Sequence, residues 1–182
     1  VPLAAAALQF PLAHPKIVSV IPGIGKRRRI ASTLDLFNQA LEWAMKTANK
    51  IQQAYSYNNI GGIYTLTNSY PEAIEAIEKA KKGFEEIGQI EGIGYASVNL
   101  GNLYRHLKSF EISLNYLNEA ERIKTQINDS IGLTVVKQLK AEIFKEKAAS
   151  LKKESKAISE LLNKIAFDLK SLLLDVPNVP NK

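Results

Sequence analysis

The chain has 182 residues, and its 46% hydrophobic and 23% charged residues are typical of a folded globular protein and exclude a disordered one. It has no cysteine, which excludes disulfides and thiolate-bound metals and fits a reducing compartment. The net charge of +6 is uneven, because residues 1–34 carry +5, residues 35–136 carry −3 and residues 137–182 carry +4, so a broad nucleic-acid-binding surface is not favoured.

The first element in chain order is a predicted N-terminal arm over residues 1–30. Its apolar start is long enough to suggest a membrane span, but Pro2, Pro11, Pro15 and Pro22 argue against a helix through it. A signal peptide carries its cations before its apolar run, and here they follow it. We therefore expect an irregular or extended arm and no membrane segment. Because the initiator Met is missing, we also expect the chain to have been cut from a longer one.

The sequence of this arm also resembles a known family. The stretch VPLAAAALQFPLAHPKIVSVIPG resembles the end of an aldo/keto reductase barrel. The resemblance runs from Val1 to about Phe37, and it implies the eighth strand at Val18 to Ile21 and the start of the eighth helix at about Arg28. That family transfers hydride between a nicotinamide cofactor and a carbonyl, and its catalytic residues would lie upstream of this chain. In the loop that binds the adenosine 2′-phosphate of NADP, only Arg29 matches. Arg29 is thus a weak cofactor-binding candidate, and we predict no enzyme activity and no cofactor.

The stretch IPGIGKRRRIAST at residues 21–33 also resembles the hairpin of a helix-hairpin-helix. The backbone N–H groups and the cation of that hairpin contact a DNA phosphate without reading bases. The preceding helix would have to form from FPLAHPKIVSV, whose two prolines and several β-branched residues disfavour a helix. We favour a cationic surface turn without a ligand. A reductase remnant and a DNA-associated protein stay as the alternative functions.

The next element is a leading helix in LDLFNQALEWAMKTANKIQQA. Its apolar residues recur at helical spacing. They are Leu36, Ala40, Leu41, Ala44 and Ala48. We expect this helix to act as the second helix of an earlier helix pair.

Residues 55–94 and 95–134 then align with each other without a gap, with eight identities in one register. A period of this length indicates stacked supersecondary units. In the first copy, one helical face is expected at Tyr57, Ile60, Gly61 and Tyr64. After a turn at residues 67–69, a second face is expected at Ala73, Ile74, Ile77 and Ala80. The small residues at positions 61 and 73 let two antiparallel helices approach closely.

The two copies resemble the tetratricopeptide repeat in one of its longer variants. The resemblance is carried by NIGGIY at 59–64 with YPEAIEAIEKA at 70–80, and by NLGNLY at 99–104 with FEISLNYLNEA at 110–120. The family's Trp near the start of the first helix is absent, as is its closing Pro. The resemblance implies an all-α superhelix of about three helix-pair units plus the leading helix, over residues 31–176, followed by a tail at 177–182.

The third unit is the least regular. Ala141 and Phe144 lie one full period after Gly101 and Tyr104, in the positions that pack the two helices of a pair. A lengthened turn at residues 150–155 would then separate a helix at 133–149 from one at 154–174. One long helix is the alternative, because residues 133–176 contain no Gly or Pro. A wide apolar stripe from Ile158 onward suits a terminal helix that lies on the stack.

In a stack of helix pairs, the first helices line a concave face. The resemblance implies that an Asn before the Leu-Gly pair holds the backbone of a bound peptide, and amides suit this because they both donate and accept. We therefore predict a protein-interaction scaffold that binds a peptide or helix, with an acidic partner favoured by Arg105. The candidate peptide-binding residues are Asn59, Asn99, Asn102, Arg105, Tyr55 and Tyr95.

Other functions lack support in the sequence. The two histidines, His14 and His106, stand far apart and have no paired acidic spacing, so no metal site is predicted. Neither a nucleic-acid partner nor a membrane is favoured. The oligomeric state is left open, and a cytoplasmic location is expected.

Overall fold

The computed structural model describes residues 28–174, with side chains placed for residues 30–170. Residues 28–174 contain no strand, so their regular structure is entirely helical, as predicted. The helices are α1 (Arg28–Lys46), α2 (Lys50–Leu66), α3 (Tyr70–Glu86), α4 (Ile90–His106), α5 (Phe110–Gln126) and α6 (Ser130–Leu174). Four predictions concern residues outside the described ones: the arm before Arg28, the reductase-like strand, the hairpin before α1 and the tail at 177–182. The end of the predicted arm, residues 28–30, instead forms the start of α1.

The helices repeat at a constant spacing along the chain. Helices α2 to α5 have 17 residues each, and a short turn of the same length separates each of them from the next. Two helices and two turns therefore make up the predicted repeat. The consecutive pairs pack as expected: α2 on α3 and α4 on α5, with α1 on α2, α3 on α4, and α2 beside α4.

The turns share one hydrogen-bonding pattern. In the turn after α2, the Asn68 N–H donates to Thr65 O at 3.2 Å and the Ser69 N–H donates to Tyr64 O at 2.9 Å. This is the Schellman motif, in which one left-handed residue lets the last carbonyls of a helix find donors. The residues with positive φ at the five turns are Ala48, Asn68, Gly88, Lys108 and Asn128. Ala48, predicted on the apolar face of α1, instead occupies an exposed turn, because the helix ends at Lys46.

The core lies between the paired helices. Gly61, Ala73, Ile77 and Ala80 are buried at the predicted contact between α2 and α3, with Tyr64 half-buried beside them. A second cluster joins the leading helix to the first pair through Phe37, Ile60, Ile63 and Ala76. The predicted faces of α2 and α3 are thus confirmed, and so is that of α1 except at Ala48.

Of the two alternatives left open for the third unit, the structure has the single long helix, because residues 130–174 form α6 without a turn and no third helix pair is present among the described residues. The spacing of the earlier helices would place a turn at 147–149 and a helix-capping residue at position 149. Every earlier turn ends in a polar residue, namely Asn49, Ser69, Gln89, Ser109 and Asp129, and two of these, Asn49 and Asp129, cap the next helix with a side-chain oxygen. Position 149 is Ala, which has no side-chain oxygen to cap a helix. The Ala- and Lys-rich sequence around it favours a continuing helix.

The chain divides into two compact units, Val1–Lys140 and Ala141–Lys182. The boundary falls inside α6 and inside the domain predicted at 31–176. In the second unit, Phe144 is 58% exposed and Ala141 is exposed, so they do not pack as Tyr104 and Gly101 do.

Candidate functional site

The candidate site is built on the first helices of the two pairs, α2 and α4, which lie side by side. The Asn99 side-chain amide donates to Asn58 Oδ1 across the two helices at 2.9 Å, and Asn58 is buried. Asn59 is also buried, and its amide donates to the Tyr55 carbonyl within α2 at 2.9 Å. Asn59 and Asn99 occupy equivalent positions in the repeat, but Asn59 is buried, whereas Asn99 is half-exposed and bridges α4 to α2.

Two further predicted residues continue from Asn99 along α4. The Arg105 guanidinium donates to Asn102 Oδ1, through Nη2 at 3.0 Å and through Nε at 3.4 Å. Asn102 and Arg105 are half-buried, so both present part of their surface to solvent. We call Asn99, Asn102 and Arg105 the α4 stripe. Because each is three positions from the next, they lie on one side of the helix.

Tyr55 and Tyr95 were predicted to line the groove, and their placement there is wrong. They are only 5% and 4% exposed, because this side of each first helix is covered by packing in the core. The Tyr55 ring meets Phe84 edge to face, with centroids 4.9 Å apart. Burial raises the pKa of both phenols, with a hydrogen bond from Gln89 partly opposing the rise at Tyr55.

Tyr95 belongs to a buried polar group that we call the Lys124 cluster, formed by Glu91, Tyr95, Lys124 and Asp129. The Lys124 ammonium lies 3.2 Å from the centre of the Tyr95 ring and 2.8 Å from Asp129 Oδ2. The Tyr95 hydroxyl donates to Glu91 Oε1 at 2.6 Å. The Lys124 side chain is 1% exposed, against 20% for Asp129.

Burial and the attraction between opposite charges act in opposite directions on the pKa values of Lys124 and Asp129. Burial lowers the pKa of Lys124 and outweighs the opposing attraction of Asp129 and Glu91. For Asp129, burial alone would raise the pKa of the carboxyl, but the Lys124 ammonium and the Gly132 N–H together lower it. The Gly132 N–H donates to Asp129 Oδ1 at 2.8 Å, so the same carboxylate also caps α6.

The spacing of charges along the chain does not indicate this cluster, but the repeat contains a signal for it. Lys124 stands one full period after Phe84, which packs on Tyr55 in the first copy. A Cβ on Gly92 would overlap the Phe84 ring, and one on Gly132 would lie 2.8 Å from Lys124 Cδ. Positions 84 and 124 are therefore structurally equivalent, and a cation at a core position of the repeat was the observable sign.

No protein-family model, curated protein or solved structure matches this chain. Arg29 lies in the first turn of α1, and its side chain is outside the described ones. Within residues 28–174, no cluster of three or more His, Asp or Glu side chains is arranged to hold a metal ion. None of the helices in that range combines the length and the apolar character that crossing a membrane requires.

Proposed function

We propose that this chain is a protein-interaction module that binds an extended, acidic peptide segment across α4 and the neighbouring first helix α2. The observation that carries the proposal is the α4 stripe, in which Asn102 accepts from the guanidinium of a half-buried Arg105. Asn102 Oδ1 takes the Nε–H and one Nη2–H and so holds the plane of the guanidinium in one orientation, and the end-on Nη1/Nη2 edge of a guanidinium also has the geometry that matches a carboxylate. Less side-chain entropy is then lost when an acidic residue binds.

The surface of α2 next to this stripe supports an extended ligand. Gly62 is the repeat equivalent of Asn102, and a Cβ built on it would meet no atom within 4 Å. The absence of a side chain leaves room for another backbone to approach α2 closely. Because Asn102 Oδ1 already accepts from Arg105, the Asn102 side-chain NH2 is the group that can donate to a carbonyl of that backbone.

Asn99 is better assigned to holding the two helices together. Its amide is bonded to the buried Asn58, so removing it would leave Asn58 Oδ1 without this donor. The binding test therefore leaves Asn99 intact and changes only Asn102 and Arg105.

The test begins with selection of peptides from a random displayed library against the full chain, followed by affinity measurements in solution. We expect selected peptides to be rich in Asp and Glu. The double variant Asn102→Ala/Arg105→Ala should bind them about tenfold or more weakly, because hydrogen bonds to a charged group are worth roughly 1.5–3 kcal/mol. Added salt should also weaken binding of these peptides to the native chain, because it screens the attraction between Arg105 and the acidic residues.

Arg122→Ala is the matched control. Arg122 is an exposed arginine on the second helix α5, so its loss removes the same charge from outside the stripe. The control should bind with unchanged affinity. Equal weakening by the control and by the stripe variant would leave only a general charge effect, and undiminished binding to the stripe variant would refute the groove.

A further inference from the structure

The part of α6 that belongs to the second unit has a large exposed apolar surface. Seven of its apolar side chains are between 53% and 60% exposed. Leu161 borders the stripe, and the other six recur along one side of the helix: Phe144, Leu151, Ile158, Leu162, Ile165 and Leu169. A solitary helix with such a stripe gains little stability from packing, because amphipathic helices are stabilised mainly by burying their apolar face.

The spacing of this stripe is that of a coiled coil. Together with Ala148 and Ser155, the exposed residues form a series whose steps alternate between four and three positions, which we call the α6 seam: Phe144, Ala148, Leu151, Ser155, Ile158, Leu162, Ile165 and Leu169. The series spans more than three heptads without a break. A strict heptad period forms a narrow seam suited to one partner helix, whereas helices of globular cores have a wider apolar face.

The charges beside the seam discriminate between the two ways of pairing it with itself. In a parallel pair, Lys147 of each chain would face Lys152 of the other, which repels. In an antiparallel pair that sets Ala148 opposite Ile165, Lys147 of each chain faces Asp168 of the other, which attracts. The antiparallel arrangement thus replaces two like-charge contacts with two ion pairs.

The sizes of the seam residues agree with the antiparallel register. It sets Ala148 against Ile165, Ser155 against Ile158, and Leu151 against Leu162. Small residues then meet large ones in every layer that contains one. A parallel pair would set alanine on alanine and serine on serine, which would leave voids and bury two hydroxyls together.

We propose that residues 144–169 of α6 associate with the same residues of a second copy of this chain as an antiparallel coiled coil. The partner is a second copy because the seam, its flanking charges and its pattern of large and small residues are complementary to themselves. This interaction surface is independent of the proposed peptide groove.

The first test measures the mass of the full chain by light scattering and sedimentation, from low to high micromolar concentration. We expect a dimer. Leu162→Lys places a charge in the seam and should give a monomer. Phe167→Lys is the matched control, because Phe167 is 74% exposed but lies on the opposite side of the helix from the seam, and it should stay dimeric. Both side chains are exposed in the single chain, so neither change disturbs its packing.

The second test uses disulfide trapping to establish the direction of pairing, which is clean because the chain has no cysteine. Ala148→Cys mixed with Ile165→Cys should form a mixed disulfide under mild oxidation. Ala148→Cys alone should not cross-link, since two copies of position 148 lie about 25 Å apart in the antiparallel register.

Three results would overturn the proposal: a native chain that is monomeric throughout the concentration range, a dimer that survives Leu162→Lys, or efficient cross-linking of Ala148→Cys alone, which requires parallel helices. A monomeric Leu162→Lys that still unfolds cooperatively in urea, together with the mixed disulfide, would support it.

Discussion

Gly101 and Gly62 occupy adjacent positions of the repeat in different copies, and the fold requires glycine only at the first of them. A Cβ on Gly101 would lie 2.7 Å from Leu117, which is fully buried, and 3.4 Å from the Ser113 carbonyl. The Ser113 hydroxyl also donates to the Gly101 carbonyl, so the two helices are tied together at this point. Gly62 has open space where its side chain would be. The first glycine therefore allows close approach of two helices, whereas the second is not needed for packing within the chain and weakens its helix.

We accordingly expect opposite effects from the same substitution. Gly101→Ala should lower the free energy of unfolding by about 1–3 kcal/mol, because Leu117 and the backbone of α5 must move. Gly62→Ala should raise it by up to about 1 kcal/mol, because alanine favours the helix more than glycine does. Urea denaturation of both variants measures the difference. Similar losses at the two sites would show that the contact between α4 and α5 is misassigned.

The turn between helices is the element that sets their constant spacing, and its left-handed position is filled by residues that differ in conformational cost. Gly88 adopts φ of +68° without steric cost, whereas Ala48 adopts +52° with its Cβ close to the following carbonyl. Ala48 is exposed and a Cβ on Gly88 would meet no atom within 4 Å, so their conformation and not their packing determines their contribution.

Exchanging these two residue types should therefore reverse the sign of the effect. Ala48→Gly should stabilise the chain by roughly 1 kcal/mol, and Gly88→Ala should destabilise it by a similar amount. The readout is the denaturation midpoint at constant slope. Destabilisation by Ala48→Gly would mean that the extra freedom of glycine in the unfolded chain outweighs the relief of strain.

The same turns explain which part of the helical pattern was predictable. The turn at residues 67–69 and the second-helix faces followed from the apolar spacing and from the repeat. The third unit stayed open between two helices and one, because Ala141 and Phe144 keep the spacing of the first helix while residues 133–176 contain no Gly or Pro to end it. Spacing identifies equivalent positions, but a helix ends only where its terminal groups find partners.

For the whole molecule, the repeat predicted the fold better than it predicted the site. The period placed Asn99, Asn102 and Arg105 on one side of α4, and the structure brings them together there. It could not show that Tyr55 and Tyr95 are covered, because their burial depends on side-chain contacts with the second helix of each pair, at Phe84 and at Lys124. A sequence period identifies equivalent positions, but it does not tell which of them another helix covers.

The Lys124 cluster links a single buried ion pair to the pH dependence of the entire fold. The lowered pKa of Asp129 contributes stability that is present above its unfolded value of about 3.9 and is lost as the pH falls through its folded value. The lowered pKa of Lys124 affects stability at alkaline pH instead. Between its folded pKa and its unfolded value of about 10.4, the unfolded chain binds the extra proton, so stability should rise with pH in that window.

Removing either partner tests both statements. Asp129→Asn should cost about 3 kcal/mol at neutral pH, because it leaves the buried ammonium of Lys124 without its counter-ion while keeping an oxygen to cap α6. Lys124→Met should change stability by less than about 1 kcal/mol, because Asp129 is partly exposed and keeps the Gly132 N–H, and because the equivalent Phe84 shows that an apolar side chain fits this position. Urea denaturation from acid to alkaline pH should further show that the alkaline rise disappears in Lys124→Met. Equal losses in the two variants, or an alkaline rise that persists without Lys124, would contradict this account, since only a buried and partly uncompensated ammonium makes the two partners unequal.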